Sequence, residues 1–382
     1  MKALLCLLIS MLSTQVLGQY ILKGVILDSL NNSPIIGVTI NEESKKSGTI
    51  SNEDGEFEFI VNQLPARLVF SHVSYKKITL EVRTDEYIKV ITSPAVIQLP
   101  EFRTGDPTLN YIRRAIDKLL EDTSSVRYFK AFYQDIVQSN ENYKLLNEIL
   151  MNVSWNAFGV QKWQPYNMRY AMADRQSYFS NNQTFLPFLY SSIIYKHIRF
   201  PINNKDVELI YSFKIKHYLN TNTTDETVVI SCTPKSRKME MSLFDGDIFI
   251  DIETNNIVKM AGKFTYPNKN KDKHIEFISI DFMEDGLGQS IPEKVNIRTE
   301  RTLSKANSKI VHNTWLYFFE EIRGFGPDPV YPGYNRSDLE ILEKIPYNED
   351  VWQKNRFIKQ PNLSKEVLNS FEKGKAGFRS NY

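Results

Sequence analysis

Cysteine is nearly missing from this 382-residue chain: there are two, Cys6 and Cys232, too few for a disulfide framework. A surplus of either charge is also missing, with 47 Lys and Arg against 45 Asp and Glu. That balance gives no basic surface for nucleic acid, and no nucleic-acid partner is expected. Alanine is scarce, at 11 residues, while Phe and Tyr number 23 and 20. Aromatic side chains suit pleated surfaces and alanine is the best helix former, so the bias favours strands. No apolar run of 18 residues occurs, which excludes a transmembrane helix in the mature chain. At 42% apolar and 24% charged, the composition is that of a globular protein.

The catalytic signatures are missing as well. The five histidines, His72, His197, His217, His274 and His312, show no metal spacing such as H-x-x-x-H. There is no G-x-S-x-G elbow and no G-x-x-x-x-G-K-[ST] loop, and Gly286-Leu287-Gly288 lacks the rest of a dinucleotide fingerprint. No metal and no cofactor are expected. Carboxylates cluster at Asp245, Asp247 and Asp251 and at Glu320 and Glu321. A glycosidase would need such a pair across a cleft, but turns and alternating strand faces explain these positions.

What is present begins with residues 1–18, MKALLCLLISMLSTQVLG. Lys2 is a positive start, Ala3 to Leu12 an apolar stretch, and Val16-Leu17-Gly18 ends on a small residue. This is the pattern of a secretory signal peptide, cut between Gly18 and Gln19. Cys6 follows too short an apolar stretch to be a lipidation site. Export would leave Cys232 alone in Val228-Val229-Ile230-Ser231, where it reads as a small buried hydrophobe.

Residues 19–100 read as a domain of short strands. Tyr20 to Leu27, Ile35 to Ile40, Gly48 to Ser51, the alternating Phe57, Phe59 and Val61, Arg67 to Phe70 and Lys77 to Val82 supply them. Asp28 to Pro34 is a turn cluster, and Asp54-Gly55 is a hairpin signal. Asp54, with Glu53 and Glu56, reads as a solvated turn rather than a calcium loop, which needs six or more oxygens. Close strand spacing without helical period points to a β-sandwich of the seven-stranded type.

The motifs Lys23-Gly24-Val25-Ile26-Leu27-Asp28, Ser33-Pro34-Ile35-Ile36-Gly37-Val38, Gly48-Thr49-Ile50-Ser51-Asn52-Glu53-Asp54-Gly55-Glu56-Phe57 and His72-Val73-Ser74-Tyr75 carry a resemblance. The stretch resembles the carboxypeptidase-regulatory-like domain, a transthyretin-like β-sandwich. It departs from that pattern at Ser74, where a Gly commonly precedes the Tyr. The resemblance implies an accessory module without chemistry of its own, often at the N-terminus of exported envelope proteins. The layout of regulatory-like domain, helix plus Phe-Tyr segment (Ile112 to Tyr133) and strand-rich body is similar to Bacteroidetes-type envelope proteins. It implies a periplasmic or outer-membrane-associated place.

Residues 105–323 read as a helix and an antiparallel β-rich domain. Gly105-Asp106-Pro107 opens the helix, with Asp106 as N-cap and Pro107 in the first turn. Ile112, Ala115, Ile116, Leu119 and Leu120 share a face, and the helix ends near Glu121. Strands are expected at Tyr128 to Gln138, Tyr143 to Trp155, Glu208 to Tyr218, Thr227 to Cys232, Ile248 to Ile252, Ile257 to Tyr266, His274 to Met283, Glu293 to Thr302 and Lys309 to Ile322. Short connections make them an antiparallel meander. The aromatic span 165–205 reads as a long loop or cover over the sheet. Residues 324–382 read as a loop-rich tail with short helices at Ser337 to Leu342 and Ser364 to Lys373.

The fold expectation is therefore mainly β: a β-sandwich, a linking helix, then a larger antiparallel domain with a few short helices. The functional expectation is an exported, non-enzymatic envelope protein whose strand-rich body binds a partner, glycan or lipid. The alternatives are a lipid or lipoprotein carrier, since the Asp247 to Lys259 hairpin is similar to those of lipoprotein-carrier half-barrels, and a hydrolase with an acidic site. Trp155, Trp163 and Tyr166 offer either a stacking platform for a ligand or the packing of a buried sheet.

Overall fold

The computed structural model describes residues 19–43, 48–52, 54–95, 97–98, 107–140, 142–172, 184–193, 200–202, 207–221, 223–235, 242–266, 272–304, 306–333, 338–342, 344–345 and 348–354. The expected signal peptide, His197 and the helix at Ser364 to Lys373 lie outside these residues. Among the described residues no helix is long and apolar enough to cross a membrane. The chain divides into two compact units, the first up to Ser93 except for Val73–Lys76, the second from Pro94 onward.

The first unit has seven strands in two sheets. β1 (Tyr20–Asp28), β4 (Glu56–Val61) and β7 (Ile88–Thr92) form one sheet in the order β4-β1-β7. β2 (Thr39–Glu42), β3 (Gly48–Ile50), β5 (Ala66–His72) and β6 (Tyr75–Val82) form the other, in the order β3-β2-β5-β6. The sandwich expectation holds because inward positions alternate: Leu22 and Ile26 on β1, Phe57, Phe59 and Val61 on β4, and Leu68 and Phe70 on β5 are buried. The rings of Phe57 and Phe70 meet edge-on at 5.6 Å. Gly24 pairs with Phe57 across β1 and β4, and a Cβ there would strike that ring and the Ile88 carbonyl. β7, which pairs with β1 in parallel, was not expected from the sequence.

Two local expectations change. Ile35 to Val38 precede the strand rather than forming it, since β2 starts at Thr39. Asp54-Gly55 does not close a hairpin: β3 pairs with β2 and β4 with β1, so the turn carries the chain between sheets. The buried Asn52 carboxamide makes the turn, its Oδ1 accepting from the Asp54 and Glu56 amides while Gly55 takes φ +70°. Asp54 is exposed at its tip.

The second unit opens with α1 (Thr108–Leu120), which begins one residue later than expected, Pro107 standing at the N-cap, and ends at Glu121. Eleven strands then form one sheet. β8 (Ile97–Gln98) is a two-residue edge piece. β9 (Arg127–Ser139), β10 (Asn142–Asn156), β11 (Gly159–Met172), β12 (Tyr211–Leu219), β13 (Thr227–Pro234), β14 (Phe244–Asp251), β15 (Ile257–Thr265), β16 (Lys273–Glu284), β17 (Ser290–Leu303) and β18 (Ser308–Ile322) follow. Their order is β11-β10-β9-β18-β17-β16-β15-β14-β13-β12-β8, and every pairing is antiparallel. The meander is broken where β18 returns beside β9 and where β12 lies beside β8. Short helices α2 (Phe185–Tyr190), α3 (Val207–Ile210), α4 (Asp338–Leu342) and α5 (Glu349–Lys354) complete the unit.

The span 165–205 is only partly a cover. Its first residues belong to β11, hidden from sequence reading by Pro165 and a bulge opposite Leu150 and Met151. Proline is tolerated there because β11 is an edge strand. Past the strand, α2 and Ile193 do lie on the sheet, within its core. Glu208 is helical rather than extended.

One face of the sheet, here called inner, packs against α1 and α2. Ile112, Ala115, Ile116 and Leu119 of α1 and Phe188 and Tyr190 of α2 join Phe129, Tyr133, Ile149, Val153, Ile278, Ile297 and Leu316 in one core. Each fully buried aliphatic side chain contributes about 1.5–3 kcal/mol. Cys232 belongs to this core, fully buried, with burial first and Asp245 and Asp247 next pushing its thiol up, as befits an inert hydrophobe.

Candidate functional site

Two hexapeptides pose a local conflict. Phe132-Tyr133-Gln134-Asp135-Ile136-Val137 in β9 and Leu145-Leu146-Asn147-Glu148-Ile149-Leu150 in β10 are fully buried runs, each broken by a polar doublet. Successive strand residues face opposite sides, so each doublet gives one polar side chain to each face. Register then brings like with like: Asn147 lies opposite Asp135, and Glu148 opposite Gln134.

On the outer face the doublet residues are satisfied. The Glu148 carboxylate, 1% exposed, accepts from Gln134 Nε2 at 2.7 Å and from Arg169 Nε of β11. The Arg169 guanidinium lies 4.2 Å from the Trp352 ring of α5, which also meets Phe132 edge-on. Asn167 and Asn348 exchange hydrogen bonds beside it. Glu148, Gln134 and Arg169 are thereby satisfied, while the buried Trp352 Nε1 above them has no hydrogen-bond partner among the described residues.

On the inner face the row runs Tyr170, Asn147, Asp135, Thr314 across β11, β10, β9 and β18. Thr314 Oγ1 donates to Asp135 Oδ1 at 2.9 Å, and His312 Nδ1 stands 3.7 Å from Asp135 Oδ2. Asn147 is 1% exposed, and among the described residues neither its amide nitrogen nor its oxygen has a hydrogen-bond partner. The Tyr133 hydroxyl, fully buried, has none either. Burial first, then the charges of Asp135 and Asp338, hold that phenol protonated well above its usual range. An unpaired buried polar group costs about 1–3 kcal/mol, so three such atoms on one face of two neighbouring strands need an explanation.

The polar row continues as a stripe. His312 pairs with Thr299 of β17, and Thr299 with Glu276 of β16. Glu276, 3% exposed, accepts at Oε2 from the Tyr190 hydroxyl at 2.7 Å and the Tyr266 hydroxyl at 3.0 Å. His274 Nε2 is 3.2 Å from Oε1, and its ring stacks on Tyr266 at 4.3 Å. Burial opposes ionisation of Glu276, but His274 and the two phenols outweigh it and hold the carboxyl below its usual value. Burial first, then Glu276, pushes the Tyr266 phenol up to about 12.

α2 spans the stripe, packing on β11, β17 and β18. At its start, Thr184 donates from its amide (2.8 Å) and hydroxyl (3.0 Å) to Asp338 Oδ2 of α4. Asp338 is 5% exposed, and burial, only partly offset by Thr184, pushes its carboxyl up to about 6. At the far end Tyr190 reaches Glu276, Trp155 Nε1 donates to the Ser191 carbonyl at 2.8 Å, and the Val160 amide donates to Ser191 Oγ at 3.1 Å. Gly159, at φ +91°, lets this end approach: a Cβ there would lie 2.7 Å from the Phe188 carbonyl.

The expected aromatic platform is not assembled. Trp155 and Trp163 are each 1% exposed in the inner core, Trp163 edge-on to Phe188 at 5.6 Å. Tyr166 falls at the β11 bulge, half-buried, its phenol raised by burial and by Glu320. The carboxylate clusters have local partners: Asp247 pairs with Lys216, Asp251 caps the turn at Thr254, and Glu320 pairs with Lys130. Among the described residues no cluster of His, Cys, Asp and Glu is placed to hold a metal. Sequence reasoning missed Asn147, Tyr133, Asp135, Glu276 and Asp338. The signal was there for the first and third, as polar doublets inside apolar strand runs.

No curated protein matches the chain. Among solved structures, the crystal structure of MucB in complex with MucA(peri) is similar at 8% identity and a TM-score of 0.17, covering 57% of this chain and 94% of that one. The family comparison concerns the first unit. Residues 22–102 match the CarboxypepD_reg-like domain, a regulatory-type rather than catalytic β-sandwich, and the sandwich described above is that domain.

Proposed function

We propose that this chain is an exported cell-envelope protein in which the CarboxypepD_reg-like domain is an accessory module and the strand-rich unit binds a ligand. The ligand is of the glycan class, a neutral hydroxyl-bearing group held on the inner-face stripe. The observation that carries the reading is Asn147, whose amide nitrogen and oxygen are both buried and unpartnered among the described residues, on the same sheet face as the unpartnered Tyr133 hydroxyl of the neighbouring strand. A carboxamide needs an acceptor and a donor side by side, and neighbouring hydroxyls supply both. Asp135, Glu276 and Asp338 make the stripe acceptor-rich, and neither Lys nor Arg is among its residues, which disfavours an anionic ligand. Binding rather than catalysis is supported because Glu276, Asp135 and Asp338 each already accept hydrogen bonds from protein hydroxyls.

Native mass spectrometry of the protein purified from its own envelope tests this. The expected result is a bound saccharide mass that Asn147→Leu removes while the variant stays folded. Wild-type protein without saccharide, in crystals whose ordered waters alone satisfy Asn147 and Tyr133, overturns it. A second reading, an acyl-chain carrier, is favoured by the cluster of Tyr190, Phe200, Phe244 and Phe264, whose rings lie 5.4–6.0 Å apart. Release of a lipid mass instead supports that reading.

A further inference from the structure

We propose that the group held on the stripe is a vicinal diol of a neutral sugar ring, bound by Asn147, Asp135 and Tyr133, and that Asp135 is a specificity-determining residue for it. The inference rests on the glycan reading above and deepens it.

Asn147 on β10 and Asp135 on β9 are direct cross-strand partners, each 1% exposed, and Tyr133 lies two residues along β9 on the same face. Side chains directly opposite each other start about 4.5–5.5 Å apart at Cβ. Among the described residues Asn147 leaves a donor, Nδ2, and an acceptor, Oδ1, without partners. The Tyr133 hydroxyl is unpartnered too, and burial first, then the charge of Asp135, keeps it protonated and so a donor. Asp135 Oδ1 takes the Thr314 hydroxyl, whereas Oδ2 has His312 Nδ1 at 3.7 Å, too far for a hydrogen bond. Two donor atoms and two acceptor atoms are therefore unmatched on this pair of strands.

A hydroxyl both donates and accepts. One that donates to Asp135 Oδ2 accepts from Asn147 Nδ2. Its neighbour on the ring donates to Asn147 Oδ1 and accepts from the Tyr133 hydroxyl. Two adjacent hydroxyls thus reach all four atoms, and a single hydroxyl reaches half of them. A carboxylate or phosphate donates nothing, so at the same place it leaves both acceptors unmatched and sets its charge against Asp135. Selection is then partly repulsive, by a buried acceptor that an acceptor-only group cannot satisfy.

The other two carboxylates of the stripe are engaged elsewhere. Glu276 accepts the Tyr190 and Tyr266 hydroxyls, with His274 at 3.2 Å, and Asp338 receives both Thr184 donors on Oδ2. Of the three, Asp135 is the one opposite Asn147.

Isothermal titration of the purified protein with the methyl glycosides of glucose, galactose and mannose, and with every monodeoxy form of whichever binds tightest, tests the proposal. The expected result is that removing either of two adjacent hydroxyls weakens binding by at least about tenfold, while removing any other changes it little. Asp135→Asn, which keeps the side-chain shape, is expected to abolish most of the penalty at one of the two positions only. Tyr133→Phe is expected to abolish it at the other, and it carries the same comparison if Asp135→Asn does not fold. A purely structural role for Asp135 or Tyr133 would weaken all the glycosides alike. A deoxy series without an adjacent pair, or folded variants that lower every affinity equally, overturns the diol assignment and leaves the glycan reading standing. No binding of any glycoside by the wild type, as when two ordered waters fill the four contacts, overturns both.

Discussion

The two faces of one pair of strands treat the same sequence pattern in opposite ways. The Gln134–Asp135 and Asn147–Glu148 doublets place polar groups on both faces of β9 and β10. Outside, Glu148, Gln134 and Arg169 close on each other beneath Trp352. Inside, the Asn147 carboxamide and the Tyr133 hydroxyl have no hydrogen-bond partner among the described residues. A satisfied buried network fixes strand register and little else. An unsatisfied one keeps a cost that a purely structural core would shed by becoming apolar. The difference separates a part of the molecule that holds shape from one suited to receive something.

The comparison breaks first at Glu148. Glu148→Ala leaves the Arg169 guanidinium buried without its carboxylate, and urea unfolding is expected to show a loss of about 3–5 kcal/mol. A loss under 1 kcal/mol would mean that the outer row is not structural. Tyr190→Phe removes one of the donors to the buried Glu276 and should lower stability by about 1.5–3 kcal/mol at neutral pH. The deficit should shrink in acid as Glu276 protonates, because its contribution exists above the usual carboxylate range and is lost as pH falls through its lowered value. Asn147→Leu is expected to change sign: replacing an unpartnered carboxamide by an apolar group of similar size should raise the ligand-free stability by about 1 kcal/mol while abolishing binding. A destabilised Asn147→Leu would mean the amide is satisfied within the fold. The smallest effect belongs to the half-buried pair Lys130–Glu320 at the sheet surface, whose removal should cost about 0–1 kcal/mol and less at high salt.

Much of the fold is legible along the chain. The strands from Tyr128 to Trp155 and from Thr227 to Ile322 follow their apolar runs, and their ends agree to within a few residues. β11 was illegible because Pro165 and the bulge break its alternation. The Asp54-Gly55 turn was legible as a turn but not in its destination: a glycine at φ +70° reverses the chain equally well within a sheet or between two. For the candidate site, the polar doublets are visible as polar groups inside buried runs, yet Trp155 and Trp163 drew attention instead because large aromatics serve cores and ligands alike.

The sequence by itself determined the β-rich composition, the sandwich motif at Gly24, Pro34 and Gly55, and the two polar doublets, since each depends on backbone preference or on a period of two. Only the tertiary structure decided that Asn147 meets Asp135, that Tyr190 reaches Glu276 across 86 residues and that Thr184 reaches Asp338 across 154. Those contacts depend on strand order and register, which sum interactions over the whole sheet and leave no mark at any single position.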